Sequence, residues 1–498
     1  MSRRKISMLR AEGIRNNIRK VTQSLISFPA RLWLRLSPRQ RTYHLFVLAF
    51  TLFMVTIPPS GLIPAHDILP TTLLPVSIIM ERDFDLDEFI DHPLYPDLGW
   101  EDAYWVVRVE NHYYSKYPIL TALLVTPFYL LPVALGLTAH SSLLPYLLLG
   151  KTTAALLAAG SVVLVYLSLR VLASELRALC LSLVYAFAGP TWTISSQALW
   201  QHAASQLFLA AGIYYLLKSL RDRKGIGFSG LFVGLAVAAR PTNLVIALIV
   251  IVYLLHRSRD RIPLFLAGTI IPLSFLLWYN HSTFGSPFSQ GYGAEAYDAW
   301  TTPLHRGLLG ILFSPSKGLL IYSPVFWFPI AGIVASWRRG MRDEATTWLF
   351  RYLGLAVASF ILVMSRWHAW AGGWSFGPRM LVDIAPLFIL VMIPALEWLG
   401  QNRGVTAVFI IFLMISITVQ LAGLSMFDAG WYRQLPATQY DEAAFWSIRS
   451  SEMAYYIDRF GVVGFLGRIL VQGLASGVAG VLMTLGSVCL LSRRGLLV

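Results

Sequence analysis

The sequence predicts an all-α fold: a polytopic transmembrane helix bundle of about twelve spans with a partly helical first loop outside the membrane. Three observations predict it. Hydrophobic residues make up 56% of the 498 positions and charged residues only 13%, against roughly 25% charged in an ordinary globular chain. Mean hydropathy is +0.60, so the chain cannot cover its own surface with polar groups, and lipid is part of its solvent. In lipid each backbone N–H and C=O must be satisfied internally, which favours helices. Finally, apolar runs approaching the roughly 20 residues a spanning helix needs recur along the chain, and the short loops between them carry their arginines and lysines on one side. Disorder, collagen, a coiled coil and a disulfide-stapled secreted scaffold are excluded. Cys180 and Cys489 both lie in apolar runs, which argues against a structural disulfide or a thiolate metal cluster.

Taken in order, residues 1–43 hold eleven basic side chains. Ile14, Ile18, Val21, Leu25, Phe28, Leu32 and Leu36 recur there at near-helical spacing, which reads as an amphipathic helix on an anionic membrane surface or as a basic tail that sets orientation. The apolar run comes too late for a signal peptide. Candidate spans begin near 44, 145, 178, 203, 226, 243, 261, 318, 347, 380, 404 and 466. The stretch 118–138 is long enough to cross but contains Pro118, Pro127 and Pro132. The division that follows is a basic segment 1–43, a catalytic transmembrane module 44–400 with first outer loop 64–117, and a C-terminal membrane region 401–498 with outer loop 426–465.

Orientation decides how 118–138 is read. If it does not cross, the loops with Arg170/Arg177, Lys218/Arg221/Arg223/Lys224, Arg257/Arg259/Arg261, Arg338/Arg339/Arg342 and Arg403 share one side with the N-terminus and Arg493-Arg494. That is the positive-inside pattern and places them in the cytoplasm. The net charge of +14 is then largely a topology signal and requires no nucleic acid. The same choice puts loops 64–117, 195–202, 240–242, 281–317, 366–379 and 426–465 on the extracytoplasmic side, as expected of an inner or plasma membrane protein with its active site outside.

These outer loops hold the residues that could carry chemistry. Asp67 follows the first span at the interface, where partial desolvation suits a carboxylate to general-base work; it reads equally as a cap of the apolar helix expected at 68–80. The run Glu81, Asp83, Asp85, Asp87 and Glu88 lacks the glycine and terminal acid of an EF-hand and reads as a solvated acidic loop, with a bound divalent cation as the other possibility. Lys116, in YYSKYP, is either an interfacial anchor among Tyr113, Tyr114 and Tyr117 or a donor to a lipid-borne phosphate. Arg240 lies outside, against the positive-inside trend, which suggests an anionic partner or a snorkelling helix end. Residues 366–379, RWHAWAGGWSFGPR, combine Arg366, Arg379, His368, three tryptophans and three glycines. Arginine forks bind phosphate, tryptophans stack on sugar faces and glycines permit close approach of backbone. Lys317 in SPSKG has a similar setting. No histidine spacing gives a metal signature, and His202, His305 and His368 read as hydrogen-bonding side chains.

An apolar helix, an outer loop opening with Asp, a lysine before proline at its end and later outer-loop cations together resemble the GT-C superfamily. These are integral-membrane glycosyltransferases that use polyprenyl-phosphate sugars. The closer likeness is to the branch with the protein O-mannosyltransferases and the lipid A aminoarabinose transferases, while the loops LLPVSIIMERDFDLDEF, YYSKYP, LWQH, ARPTN, SPSKGLLIYSP and GGWSFGPR resemble bacterial glycosyltransferases of the superfamily. The likeness covers about 44–400. It implies Asp67 as the catalytic carboxylate, Lys116 on the lipid phosphate, and inversion at the anomeric carbon. Three departures stand out: Gln201-His202 where an acid is common, Ile68 where a second acid often follows, and Arg240 near a position where the aminoarabinose transferases have lysine.

On this resemblance the chain is expected to move a sugar from a polyprenyl-phosphate carrier to a lipid, glycan or protein acceptor. Asp67 is the expected base. Lys116, Arg240, Arg366, Arg379 and Lys317 are the expected phosphate ligands, and His202, His368, Trp370, Trp374 and Tyr117 line the substrates. No cofactor is assigned with certainty, and a divalent cation is the one candidate. A lipid flippase or transporter, which favours charges at mid-membrane and repeated halves, and a non-catalytic polysaccharide-assembly subunit are the other classes.

Overall fold

A computed structural model describes residues 33–62, 65–90, 103–220, 222, 225–339, 343–435 and 442–493. The amphipathic segment expected before residue 33, and with it Arg221, Arg223, Lys224, Arg342 and Arg494, lie outside the described residues. The described residues form helices and one two-stranded hairpin. Helix α1, Pro38–Val55, starts at a reciprocal cap: the Ser37 hydroxyl accepts from Gln40 N–H while the Gln40 side chain accepts from Ser37 N–H at 2.7 Å. Helix α2, Leu69–Met80, is apolar throughout and buried over Leu69–Ser77. The hairpin β1, Val106–Val109, with β2, His112–Ser115, pairs Val106 with Ser115. Helices α3, Leu120–Ala134, α4, Leu143–Leu172, α5, Glu175–Phe187, α6, Gln201–Ser219, α7, Gly225–Ala239, α8, Leu244–Arg257 and α9, Ile262–Phe284 follow.

After a loop with two short helices, α10 (Glu295–Asp298) and α11 (Leu304–Phe313), the chain returns through α12, Leu319–Tyr322, and α13, Trp327–Arg338. Helices α14, Glu344–Met364, α15, Ala385–Val391, α16, Ile393–Gln401, and α17, Arg403–Met426, complete the main bundle. The short α18, Gly430–Gln434, and α19, Glu442–Trp446, precede α20, Glu452–Arg493, which is interrupted at Gly461, where φ is +67°.

Helix occupies each of the twelve predicted span positions. Length is another matter. Among the described residues, five helical stretches are long and apolar enough to cross a membrane: Leu143–Leu172, Arg259–Phe284, Glu344–Met364, Arg403–Met426 and Glu452–Leu482. Others are shorter, or are broken where a proline removes a donor, as at Pro324 and Pro386. Helix α3 has 15 residues, about 22 Å of rise and less than the roughly 30 Å of bilayer hydrocarbon.

Side-chain contacts define two ends of the bundle. At one, Arg41 at the start of α1 meets Glu175 at 2.6 Å, and Glu175 also takes Arg170 at 2.7 Å. The Arg261 guanidinium donates to the Ser219 carbonyl at 2.5 Å, tying the start of α9 to the end of α6. At the other end α1 finishes beside α4: Lys151 is 2% exposed and its ammonium donates to the Thr56 carbonyl at 3.1 Å, the Ser196 carbonyl at 2.9 Å and Gln197 Oε1 at 2.7 Å. Three oxygens satisfy the three N–H bonds of a cation with no carboxylate among its partners. Gly150, one residue earlier, packs against Thr72 and Leu199, so the loops holding Asp67 and Trp200 gather over this end.

Candidate active site

Asp67 lies in a 3₁₀ turn, His66–Ile68, entered from extended backbone at Ala65. Neither this turn nor α2 receives a side-chain cap, so the capping role does not apply. The carboxylate turns inward. Oδ1 accepts from the Trp200 indole N–H at 2.8 Å, and Oδ2 accepts from Arg379 at 2.5 Å. The Arg379 guanidinium lies 5.5 Å from the Trp200 ring centre, an attractive placement over an aromatic face. Trp200 is the extended residue before α6, and Arg379 opens the 3₁₀ stretch Arg379–Ile384. The buried Nε of Arg379 has no partner, so this guanidinium retains an unused donor.

A second pair lies next to the first. Arg240, extended between α7 and Pro241, contacts both Asp383 and His202. Asp383 is fully buried, and His202 Nδ1 is 3.1 Å from its Oδ2. The His202 ring also meets Trp200 at 6.5 Å. The third pair is Lys116 with Glu295, whose other oxygen is 3.2 Å from His368 Nε2. The Lys116 ammonium lies 5.2 Å from the Tyr292 ring. A Cβ at Gly291 would come within 2.7 Å of the Lys116 backbone, so glycine there allows the two loops to touch.

Two tyrosines link the pairs. Tyr292 packs edge-on to Tyr117 at 5.8 Å. Burial pushes the Tyr292 phenol up to about 12, in the combined field of Arg240, Asp67, Glu295 and Arg379; Tyr117 is raised by burial, then by Asp67. Both phenols therefore stay protonated at neutral pH and can donate hydrogen bonds. Residues from 67, 116–117, 200–202, 240, 292–295, 368 and 379–383 thus meet in one polar cluster of three cations and three carboxylates.

Other expected ligands are engaged elsewhere. Arg366 donates to the carbonyls of Thr302 at 2.8 Å and Trp300 at 3.0 Å, bracing a loop. Lys317 is 1% exposed and donates to the Ser375 carbonyl and the Tyr432 hydroxyl; its ammonium supports the 373–375 backbone. Trp370 is buried against Phe445 at 5.7 Å, and Trp374 stacks on Tyr432 at 5.6 Å and 16°. The glycines of this loop serve its turns: Gly372, Gly373 and Gly377 have φ of +80°, +61° and +67°, where a side chain is strained.

The acidic run is less solvated than expected. Asp85 is 8% exposed, and Asp87 accepts from Tyr113 N–H at 2.8 Å and lies 2.6 Å from His112 Nδ1. Asp85, Asp87 and His112 each offer an oxygen or nitrogen within 4.8 Å of the others. Two carboxylates and an imidazole are suitable donors for a divalent cation, and these are the residues that could hold one. Sequence reasoning missed His112, Trp200, Tyr292, Glu295 and Asp383. Asp383 had a signal: an acid inside the apolar run MLVDIAPLF.

No family model matches the sequence, and no curated protein matches it. Two solved structures from Archaeoglobus fulgidus are similar. The archaeal oligosaccharyltransferase AglB in complex with an inhibitory peptide and a dolichol-phosphate aligns at TM-score 0.49 and 13% identity. The oligosaccharyltransferase in its apo form aligns at 0.46 and 12%. Each alignment covers 83% of this chain and 60% of the neighbour. Likeness at that level establishes neither family nor activity.

Proposed function

We propose that this chain is a membrane-embedded glycosyltransferase that moves a sugar from a polyprenyl-phosphate carrier to an acceptor at the extracytoplasmic face. The observation that carries the reading is the cluster itself: Asp67 faces Arg379, with Lys116 and Arg240 linked to it through Tyr117, Tyr292 and Trp200. The acceptor hydroxyl oxygen attacks the anomeric carbon, and Asp67 takes its proton. The bond from that carbon to the phosphate oxygen breaks, its electron pair leaving with the lipid phosphate and the configuration inverting. Lys116, Arg240 and Arg379 stabilise the departing phosphate. Fixing donor and acceptor side by side supplies further acceleration. A divalent cation at Asp85, Asp87 and His112 would order the first outer loop.

Radiolabelled polyprenyl-phosphate sugar mixed with the purified protein in lipid tests this. Transfer to an acceptor, or donor hydrolysis abolished by Asp67→Asn, supports the enzyme. Transbilayer movement of the intact lipid would favour a flippase, and no change to the lipid in either sense would favour an assembly subunit.

A further inference from the structure

Each of the three cations in the cluster already has a carboxylate partner. The site is therefore close to neutral, which is a poor state in which to receive a phosphate. At least one carboxylate has to yield its cation, and the three pairs are not equal. Asp383 is 0% exposed and also held by His202; Asp67 is 10% exposed and also held by Trp200. Asp383 lies in the buried end of the 3₁₀ stretch Arg379–Ile384, and Asp67 directly precedes the buried Ile68 and α2. Withdrawing either strands a largely buried arginine, which is strongly unfavourable.

Glu295 differs in its own exposure and in the backbone that carries it. Its side chain is 30% exposed and that of Lys116 is 18% exposed. It starts a helix of only four residues inside the long loop after α9. Its remaining contact is His368, itself 36% exposed, so a freed carboxylate has both water and an imidazole to receive it. A phosphate approaching Lys116 would meet the Glu295 oxygens at contact distance, where like charges repel.

We propose that Glu295 is a positioning residue that holds Lys116 in the empty site and is displaced by the phosphate of the lipid donor. The proposal rests on the polyprenyl-phosphate reading above. It also gives the pocket a selectivity. A neutral lipid cannot replace a carboxylate on an ammonium, whereas a phosphate ester can, so Glu295 excludes uncharged lipids that would otherwise lie over Tyr292 and Lys116.

The test is binding of undecaprenyl phosphate to the full chain in lipid nanodiscs, read by tryptophan fluorescence, for wild type, Glu295→Gln, Glu295→Asp, Lys116→Met and the Glu295→Gln/Lys116→Met pair. Glu295→Gln should tighten binding about three- to fivefold, the worth of a part-exposed ion pair. Lys116→Met should weaken it, and the double variant should match Lys116→Met, because Glu295 acts through Lys116. A residue that merely supports its loop would weaken binding when replaced, in both backgrounds. Unchanged or weaker binding in Glu295→Gln, with Lys116→Met still weakened, overturns the proposal and leaves the proposed function standing. If neither Lys116→Met nor Arg379→Ala affects undecaprenyl phosphate, the functional reading itself fails. Should Glu295→Gln not be recovered folded, Glu295→Asp decides: its shorter arm draws back from Lys116 and should also tighten binding, and wild-type affinity there overturns the proposal.

Discussion

Replacing Asp67 with Asn separates its two possible contributions. The amide oxygen can still accept from the Trp200 indole, now at 2.8 Å, so the turn at His66–Ile68 keeps its anchor. The ion pair with Arg379 at 2.5 Å is lost, together with the carboxylate proposed to take the proton. Loss of a general base costs about 10²–10⁴ in rate, or about 2.7–5.4 kcal/mol of barrier at 1.36 kcal/mol per decade. The released Arg379 then offers more hydrogen-bond donors to the phosphate, so donor affinity should be kept or improved. The expected signature is a kcat at least about a hundredfold lower with a donor KM that does not rise. Single-turnover transfer from radiolabelled donor, alongside an undecaprenyl phosphate binding isotherm, measures both. A near-normal kcat refutes the assignment, and so does a raised KM at unchanged kcat, which would make Asp67 a binding group. Asp85 and Asp87 are poorer candidates because they are tied to the Tyr114 bridge, Tyr113 N–H and His112.

Arg379→Ala or Arg240→Ala should each weaken donor binding by about 1.5–3 kcal/mol, the worth of a hydrogen bond to a charged group; an unchanged isotherm for both removes the shared phosphate pocket. Asp383→Asn leaves Arg240 without its buried carboxylate and should destabilise the protein by about 3–5 kcal/mol, and an unaltered melting temperature in detergent would count against that pairing. Burial pushes the Glu88 carboxyl up to about 7 from an ordinary 4.5, so the folded state binds this proton more tightly than the unfolded chain does. Its contribution is therefore full below pH 4.5 and is lost as pH rises to about 7; a falling melting temperature across that window should flatten in Glu88→Gln, and an identical profile in the variant would discard it. On topology, residues 118–138 should not cross and the C-terminus should be cytoplasmic, which a C-terminal reporter active only outside the cytoplasm would contradict.

Helix positions were legible because the bilayer demands long apolar runs and the sequence supplies them. Loop convergence was legible too: Asp67, Lys116, Arg240 and Arg379 were singled out by standing at helix ends where apolar composition breaks. What the sequence could not disclose is which cation meets which carboxylate. Glu295, in GAEAYD, looks like any acid in an exposed loop until Gly291 brings its segment onto Lys116. Lys317 and Arg366 share the composition of Arg379 and Arg240, yet bond to backbone carbonyls. Those assignments depend on side-chain direction and on glycine turns such as 372–377, and composition encodes neither. Helix length was less legible, because prolines and glycines divide several of the apolar runs.

The three-way grip on Lys151 has a consequence for how the chain is made. Two of its acceptors, Ser196 and Gln197, are 45 and 46 residues further on. While α4 is entering the membrane those residues have not been synthesised, and only the Thr56 carbonyl is available. An ammonium in hydrocarbon with one partner is expensive, so α4 should wait at the insertion machinery, or with its lysine facing water, until α5 and the turn after it arrive. The unit that enters lipid is then the α1–α4–α5 group rather than single helices in succession. In a nascent chain halted shortly after Leu172 the Lys151 amine should be open to a water-soluble reagent, whereas in one extended beyond Gln197 it should be protected.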